Sequence, residues 1–323
     1  MLKQFLPSVT KHSALKDCET VVADNGSTDH SIAVLDKHFK NTVRVVRFDK
    51  NYGFAEGYNK ALEETEAEYT VLLNSDVEVT EGWLDTLLDY MDQHPETAAC
   101  QPKIRSYNDK PYFEHAGAAG GYLDRYGYPY CRGRILSNVE EDKGQYDTTA
   151  DIFWATGACM CVRTRIYKEC GGLDAGFFAH MEEIDLCWRM QCRGYKIACV
   201  PQATVYHLGG GALSYENPRK TYLNFRNNLL MLYKNLPTIR LTGVMAMRAV
   251  LDYIAAAQMF AAGKKDNAKA VIEARRDYHK LKKQYKAKRE ENRRLAKVSY
   301  PETISSHSIL FDYYLLGKRT YAK

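Results

Sequence analysis

Apolar and polar positions follow three different rhythms along the chain. In the first third, short runs of strand-forming residues alternate with longer stretches whose apolar positions recur at helical spacing. CETVVAD (18–24), VRVVRF (43–48), YTVLLN (69–74) and AACQP (98–102) read as strands, and 29–39, 54–65 and 81–94 read as helices. Short strands separated by helical segments predict βαβ units and a mostly parallel sheet with right-handed crossovers. Beyond Pro102 the rhythm breaks, and 107–134, rich in Tyr and Gly, reads as an irregular or antiparallel insertion. An apolar strand (153–162), a helix (182–193) and two short strands, KIACV and ATVYH, follow. The rest is helical in pattern: 215–234, a break at Pro237, then the long apolar stretch 241–263. The chain opens on Leu2, Phe5, Leu6 and Val9, a helical spacing that encloses Pro7.

Composition refines this picture modestly. A chain of 323 residues with 45% apolar and 26% charged residues is long enough for a large core and two domains. The nine cysteines are odd in number and several lie in apolar runs (Cys159, Cys161, Cys199), which predicts reduced core thiols in the cytoplasm. Neither Cys159 and Cys161 nor Cys187 and Cys192 have good zinc spacing. Charge is more informative. The net +5 is concentrated in 264–297, where 14 Lys/Arg face 5 Asp/Glu, so the remainder is slightly acidic. That basic segment is either a solvated charged helix or an appended element suited to an anionic membrane surface, with Lys282, Lys283, Lys286 and Arg289 as contacts. The stretch 241–263 is long enough to span a bilayer, but Arg248, Asp252 and Gln258 interrupt it, which favours a helix packed on the body or lying in the interface. No nucleic-acid recognition motif accompanies the basic residues, so nucleic acid is not an expected partner.

The candidate chemistry sits where strands end. In an open parallel sheet, ligands bind at the carboxyl ends of the strands. Asp24, followed by Asn25-Gly26-Ser27-Thr28-Asp29, and Asp76, preceded by Asn74-Ser75, both stand just past such ends. Each alone reads equally well as a polar turn, with Ser27 or Asp29 as a helix N-cap. Two strand-end carboxylates beside a bound diphosphate would need a bridging divalent cation. Gly53 and Gly57, in NYGFAEGYN, lie near a helix start and suggest close approach of a ligand or a neighbouring backbone. Glu182, Glu183 and Asp185 crowd a first helical turn. They either complement the helix dipole, with an Asp185–Arg189 pair, or supply a general base of raised pKa. His207 closes a strand ahead of three glycines.

Taken in order, VVADNGSTD, NYGFAEGYN, LLNSDVEV, WATGACMCVR with GGLDAGFF, EEIDLCWR and the VYH ending resemble the family 2 glycosyltransferases of the GT-A fold, especially the bacterial rhamnosyltransferase-like branch. The likeness covers residues 1–215, leaving 216–323 as a helical, basic extension. It implies a Rossmann-like α/β catalytic domain that moves a sugar, with inversion, from a nucleotide-sugar donor to a glycan or lipid-linked glycan acceptor in cell-envelope polysaccharide synthesis. By the same resemblance, Asp76 binds Mg²⁺ or Mn²⁺ with His207, Asn74 replaces the first Asp of an Asp-x-Asp motif beside Ser75, and Asp24 reads the nucleoside. Glu183 takes the place of the catalytic base, usually Asp. Trp154, Thr156 and Gly157 line the donor and acceptor pocket, and Gly26, Ser27, Asn51, Gly53, Gly57 and Asn59 belong to the nucleotide-binding motifs. Rhamnose from a dTDP donor is the expected sugar. The family's first strand has no counterpart before the opening helix, so the chain as it stands is expected to be poorly stable and weakly active unless an upstream β-strand is restored. A nucleotidyltransferase, or a non-catalytic nucleotide- or glycan-binding relative, are the competing readings.

Overall fold

The structure, a computed structural model, describes residues 1–209 and 217–321. The opening pattern forms helix α1 (Leu2–His12), which turns Phe5, Leu6 and Val9 inward and keeps Pro7 on its exposed side. Strand β1 (Val21–Asp24), helix α2 (Ser31–His38) and strand β2 (Arg44–Arg47) make a parallel βαβ unit, with Asp24 opposite Arg47. Helix α3 (Gly53–Leu62), strands β3 (Tyr69–Leu73) and β4 (Val77–Val79), helix α4 (Trp83–Gln93) and strand β5 (Thr97–Ser106) follow. The Tyr- and Gly-rich segment is an antiparallel four-stranded sheet: β6 (Gly121–Leu123), β7 (Pro129–Cys131), β8 (Arg134–Ile135) and β9 (Asn138–Val139).

The central sheet is completed by β10 (Ala150–Asp151), β11 (Cys159–Arg163) and, after helix α5 (Thr164–Glu169) and helix α6 (Glu182–Cys192), the long strand β12 (Lys196–His207). Its order is β10-β12-β5-β11-β3, with β4 against the far end of β12. The sheet is mixed: β12 and β5 are parallel, whereas β11 runs antiparallel between β5 and β3. The apolar run expected as one strand at 153–162 yields β11 only from Cys159. KIACV and ATVYH are one strand rather than two. Pro201 has no N–H for the ladder, so the chain bulges, and pairing with β5 resumes from Thr204 opposite Lys103.

α1 is the first element of the described residues, and β1 with β2 forms a separate ribbon that does not pair with β3. Val22 and Val45 of that ribbon, and Tyr69, Val71 and Leu73 of β3, nonetheless pack on one core with Leu6 and Val9 of α1. Among the described strands, β1 and β3 therefore each keep one edge without a backbone partner.

Beyond residue 217 come α7 (Pro218–Asn235), α8 (Thr238–Ala261), α9 (Lys265–Leu281), α10 (Lys286–Leu295) and α11 (Ile309–Tyr314). The expected start of α7 at residue 215 lies outside the described residues. These helices share a core with the sheet: Trp188 of α6, Leu229 and Leu230 of α7, Tyr278 of α9, Tyr285 and Ile304 belong to one cluster. Lys234 is buried between Asp174 (2.6 Å) and Asp185 (2.7 Å), so α7 is tied to α6 by a charge that no solvent neutralises. Arg289, expected on a membrane-facing surface, is instead buried, donating to the Tyr233 carbonyl and lying over the Tyr233 ring. All nine cysteines are free, and only Cys18 is exposed.

An unpaired strand edge opens at lower free energy than a paired one. In hydrogen exchange, the β3 amides not bonded to β11 should exchange faster than those of β5 and β12. Uniform protection across β3, β5 and β12 would show that the edge is covered.

Candidate active site

Asp76 lies in the turn between β3 and β4, and β4 pairs antiparallel with the end of β12, setting Val77 opposite His207. That register brings the Asp76 carboxylate 3.2 Å from His207 Nε2, while the Leu208 amide donates to the Asp76 carbonyl (3.0 Å). Both side chains are buried. A second carboxylate, Glu114, stands 3.4 Å from His207 Nδ1 and accepts from the Ala116 amide. Burial lowers the His207 pKa, but Asp76 and Glu114 outweigh it and raise it to about 9. Burial pushes Glu114 up, and His207 more than offsets this, holding it below the usual carboxylate range. Glu114 carried no signal in the sequence, because a loop fold rather than a motif delivers it.

The start of α3 joins the other segments. The Tyr52 amide donates to Asn25 Oδ1 (2.9 Å) and the Gly53 amide to Asn51 Oδ1 (2.8 Å). The amides of Phe54 (2.7 Å) and Ala55 (3.2 Å) share the Phe178 carbonyl. Asn25 Nδ2 returns a bond to the Gly53 carbonyl (2.8 Å). Further along α3, the Tyr58 hydroxyl donates to the Leu73 carbonyl (3.0 Å), next to Asn74. One helix thus links the β1 end, the β3 end and the segment before α6.

That segment is strained. Phe178, His180 and Met181 all have positive φ (66°, 72° and 73°), a region unfavourable for side chains of this size. Helix α7 holds it in place: Asn227 Nδ2 donates to the carbonyls of Phe177 (2.9 Å), Ala179 (2.9 Å) and His180 (2.8 Å), and Arg226 donates to those of Gly176 and Phe177. The outcome is the acidic turn of α6. Asp185 pairs with Arg189 (2.9 Å) as the helical spacing predicts. Among the described residues, one buried carboxylate oxygen of Glu182, one of Glu183, and His180 Nε2 have no hydrogen-bond partner. Burial raises Glu183 to about 7; burial and then the neighbouring Glu183 push Glu182 well above the carboxylate range. Burial, with Lys220 nearby, lowers His180 to about 4, leaving it neutral.

Other expected site residues serve the fold. Gly53 (φ 81°) leaves room for Phe178, where a Cβ would meet the ring at 2.5 Å, and Gly57 leaves room for Asn25. Close protein neighbours account for the lack of a side chain at both positions. Gly26 (φ 73°) lies so close to Lys50 that a Cβ would overlap its backbone. Asn59 is spent internally, accepting from the Leu173 amide (2.9 Å) and the Tyr167 hydroxyl (2.7 Å) and donating to the Leu173 carbonyl (2.8 Å). Asn51 is an exposed cap. The Trp154 indole is buried over Gly121 and donates to the Tyr122 carbonyl (3.0 Å). The Thr156 amide donates to Gln101 Oε1 (2.9 Å), and Gly157 packs on Phe54. Trp154, Thr156 and Gly157 are all buried. Ser27 is exposed, and neither it nor Asp29 is the N-cap of α2: His30 holds that position, and Asp29, one residue further out, accepts from the Ser31 amide (2.9 Å). Asp24 is buried at the end of β1, the Asn74 amide bonds the Ala158 carbonyl (3.0 Å), and Ser75 is exposed. Gly210 and Gly211, in the loop after His207, lie outside the described residues. A cleft of about 270 Å³ lined by Arg193, Arg293 and Lys297 opens at the other end of α6, away from the acidic turn.

A mixed sheet with acidic residues at its strand ends and a carboxylate-bearing helix start fits the GT-A fold. Residues 1–171 match Glycosyl transferase family 2, and the chain belongs to that family. It is 24% identical over 220 residues to the N-acetylglucosaminyl-diphospho-decaprenol L-rhamnosyltransferase of Mycobacterium tuberculosis, covering 64% of this chain and 71% of that protein. Among solved structures it is similar to GalNAc-T7 with UDP, GalNAc and Mn²⁺ (TM-score 0.56, 16% identity, 88% of this chain and 54% of that one). It is also similar to S. aureus TarS 1–349 with UDP-GlcNAc (TM-score 0.52, 17% identity, 91% of this chain and 85% of that one). The chain spans about half of the GalNAc-T7 chain. The two structural likenesses speak to the fold.

Removing the α7 clamp should disturb the acidic turn. Asn227→Ala leaves buried carbonyls unsatisfied and is expected to cost about 2–3 kcal/mol in denaturant unfolding. Its loss of turnover, measured where both proteins are folded, should exceed that of an equally destabilising core truncation. A loss no greater than the core variant's would make Asn227 a stability residue only.

Proposed function

We propose that this glycosyltransferase moves a sugar from a nucleoside-diphosphate donor to a hydroxyl of a lipid-linked glycan, with a divalent cation at Asp76 and Glu183 as the base. The observation that carries the reading is the Glu183 carboxylate, partly buried, with an oxygen lacking a partner and a pKa raised to about 7. A structural carboxylate would normally be paired; one held ready for a proton near neutral pH suits a general base.

The donor set fits a hard cation once His207 gives up the proton that Asp76 and Glu114 hold on it. The Asp76 carboxylate oxygen and the freed imidazole nitrogen, 3.2 Å apart in the ion pair, would then offer two protein ligands, and such ions commonly take the rest from substrate phosphates and water. When bound, the cation supplies neutralisation of the charge that develops on the departing diphosphate. The Glu114 carboxylate beside Nδ1 keeps the imidazole oriented with Nε2 toward Asp76. Glu183 accepts the proton of the acceptor hydroxyl, making the oxygen nucleophilic. Attack on the anomeric carbon from the face opposite the diphosphate inverts its configuration. The Mn²⁺ bound in GalNAc-T7 supports a metal of this kind, and the mycobacterial relative's name supports rhamnose as the sugar and a diphospho-polyprenol as the acceptor. Such an acceptor would place the reaction at the cytoplasmic face of the membrane.

Nucleoside diphosphate release from a panel of nucleotide sugars, dTDP-rhamnose among them, tests the reading. Asp76→Ala and Glu183→Gln are each expected to abolish transfer while the protein stays folded, Asp76→Ala with a lowered unfolding midpoint because it strips buried His207 of a partner; wild-type turnover by either removes that residue from its role. The pH dependence follows from Glu183. Only the ionised form accepts a proton, so turnover should rise with pH and level off above about 7. The stability effect has the opposite sign. The folded state holds the neutral carboxyl more tightly than the unfolded chain does, so this contribution is complete below the ordinary carboxylate pKa and is lost as pH rises through about 7. A pH profile unchanged in Glu183→Asp and flat between acid and neutral pH would contradict the assignment.

A further inference from the structure

Helix α8 is amphipathic in the reverse sense. Arg248 and Asp252 point into the protein and are buried. The Arg248 guanidinium lies over the Tyr128 ring, bonds Asp252 Oδ1 (3.1 Å) and the Tyr126 carbonyl (3.1 Å), and donates to Asn228, while Arg275 of α9 bonds Asp252 Oδ2 (2.6 Å). The opposite face is apolar and faces outward. Ile239 is 93% exposed, Val250 55%, Ile254 58% and Phe260 60%, with Met247 and Tyr253 beside them. No charged side chain of α8 beyond Arg240 lies on this face, since Arg248 and Asp252 are buried. α8 is also long and apolar enough to cross a membrane by length and composition.

A second apolar element flanks the same turn. Residues 124–128 hold α8 through Tyr126 and Tyr128, and hold the α11 segment through Asp124, which accepts from the Ile309 amide (3.0 Å), and Arg125, whose amide donates to the His307 carbonyl (3.2 Å). α11 and the residues after it expose Phe311, Tyr314, Leu315 and Leu316. Cations edge both elements: Lys264 and Lys265 follow α8, and Lys318 and Arg319 follow α11.

We propose that the outward face of α8, with the exposed apolar residues of α11, seats the protein on an anionic lipid bilayer, α8 lying in the plane of the interface. Three observations select a bilayer over a second copy of the chain. The apolar face, widened by Tyr253 and Phe260 on one flank and Met247 on the other, is broader than the narrow seam that pairs two helices. A second exposed apolar element, α11, is held by the same residues 124–128 that hold α8. Cations stand at its edges, as anionic headgroups require. The helix lies flat and does not span, because withdrawing it from the body would strip Arg248, Asp252 and Arg275 of their buried partners. This inference stands whatever the acceptor proves to be, and it differs from a purely electrostatic contact through the basic segment, whose Arg289 is buried.

The test is flotation of the full chain with phosphatidylcholine vesicles, with and without phosphatidylglycerol. Wild type is expected to float with the anionic vesicles. Val250→Glu/Ile254→Glu, and separately Leu315→Glu/Leu316→Glu, should each weaken binding roughly tenfold or more. Because these residues are exposed, the unfolding midpoint and the slow release of nucleoside diphosphate to water should not change. Lys282→Glu/Lys283→Glu/Lys286→Glu, in the basic segment and not among the exposed apolar residues, should weaken binding less. Wild type that fails to float, apolar variants that float like wild type, or a triple-lysine variant that loses more than they do would each overturn the proposal. So would a concentration-dependent dimer abolished by the α8 variant, which assigns the face to a second copy. Retention of the protein in membranes after an alkaline wash would replace the interfacial helix with a spanning one.

Discussion

Four backbone amides at the start of α3 are the constraint on which the site depends. The first amides of a helix have no acceptor within it, and buried ones must find partners elsewhere. Those of Tyr52, Gly53, Phe54 and Ala55 find theirs in Asn25, Asn51 and the Phe178 carbonyl. A generic helix start is an anion site; here the donors are already used by the protein. They bind the end of β1 and the loop before α6 to one helix, while Tyr58 fixes the end of β3. The glycines at 53 and 57 follow from this. They let Phe178 and Asn25 approach closely enough for the bonds to form.

The same requirement explains why the last hundred residues are not an accessory. Three non-glycine residues in left-handed geometry are unstable unless something fixes them. Asn227 supplies three hydrogen bonds from one amide nitrogen, and buried Lys234 joins Asp174 to Asp185 on either side of the strained loop. Two carboxylates at the start of α6, each with one unpaired oxygen among the described residues, then become tolerable, since the loop that presents them cannot relax. Strain, burial and a raised Glu183 pKa are one arrangement seen in three ways. At the other pole of the extension, buried charges on α8 do the opposite work, fixing an apolar face outward.

Much of the fold was legible in the sequence, for a physical reason. Periodicities of two and 3.6 report which face of an element is buried, so the strand ends at Asp24 and Leu73 and the helix start at Glu182 fall within a residue of the expected positions, although the first strand begins at Val21 and not at Cys18. Asp76, His207 and Glu183 stood out as polar groups where apolar patterns stop. The Asp76–His207 contact itself was only implied by family likeness, because β4–β12 pairing joins residues far apart in the chain. Pro201 misled, since a residue without an N–H ends most strands, yet here a bulge absorbs it.

What tertiary structure alone decided is the environment of each polar group. Local sequence does not specify whether Asn59 faces a ligand or the Leu173 backbone, whether Trp154 opens into a pocket or closes over Gly121, or whether Arg289 meets lipid or the Tyr233 carbonyl. Glu114 and Asn227 had no motif because their roles arise only when loop and helix converge. Hydrophobic period is set by neighbours along the chain and survives in the sequence. Desolvation and hydrogen-bond partnership depend on atoms brought together across it, and only the folded chain determines those.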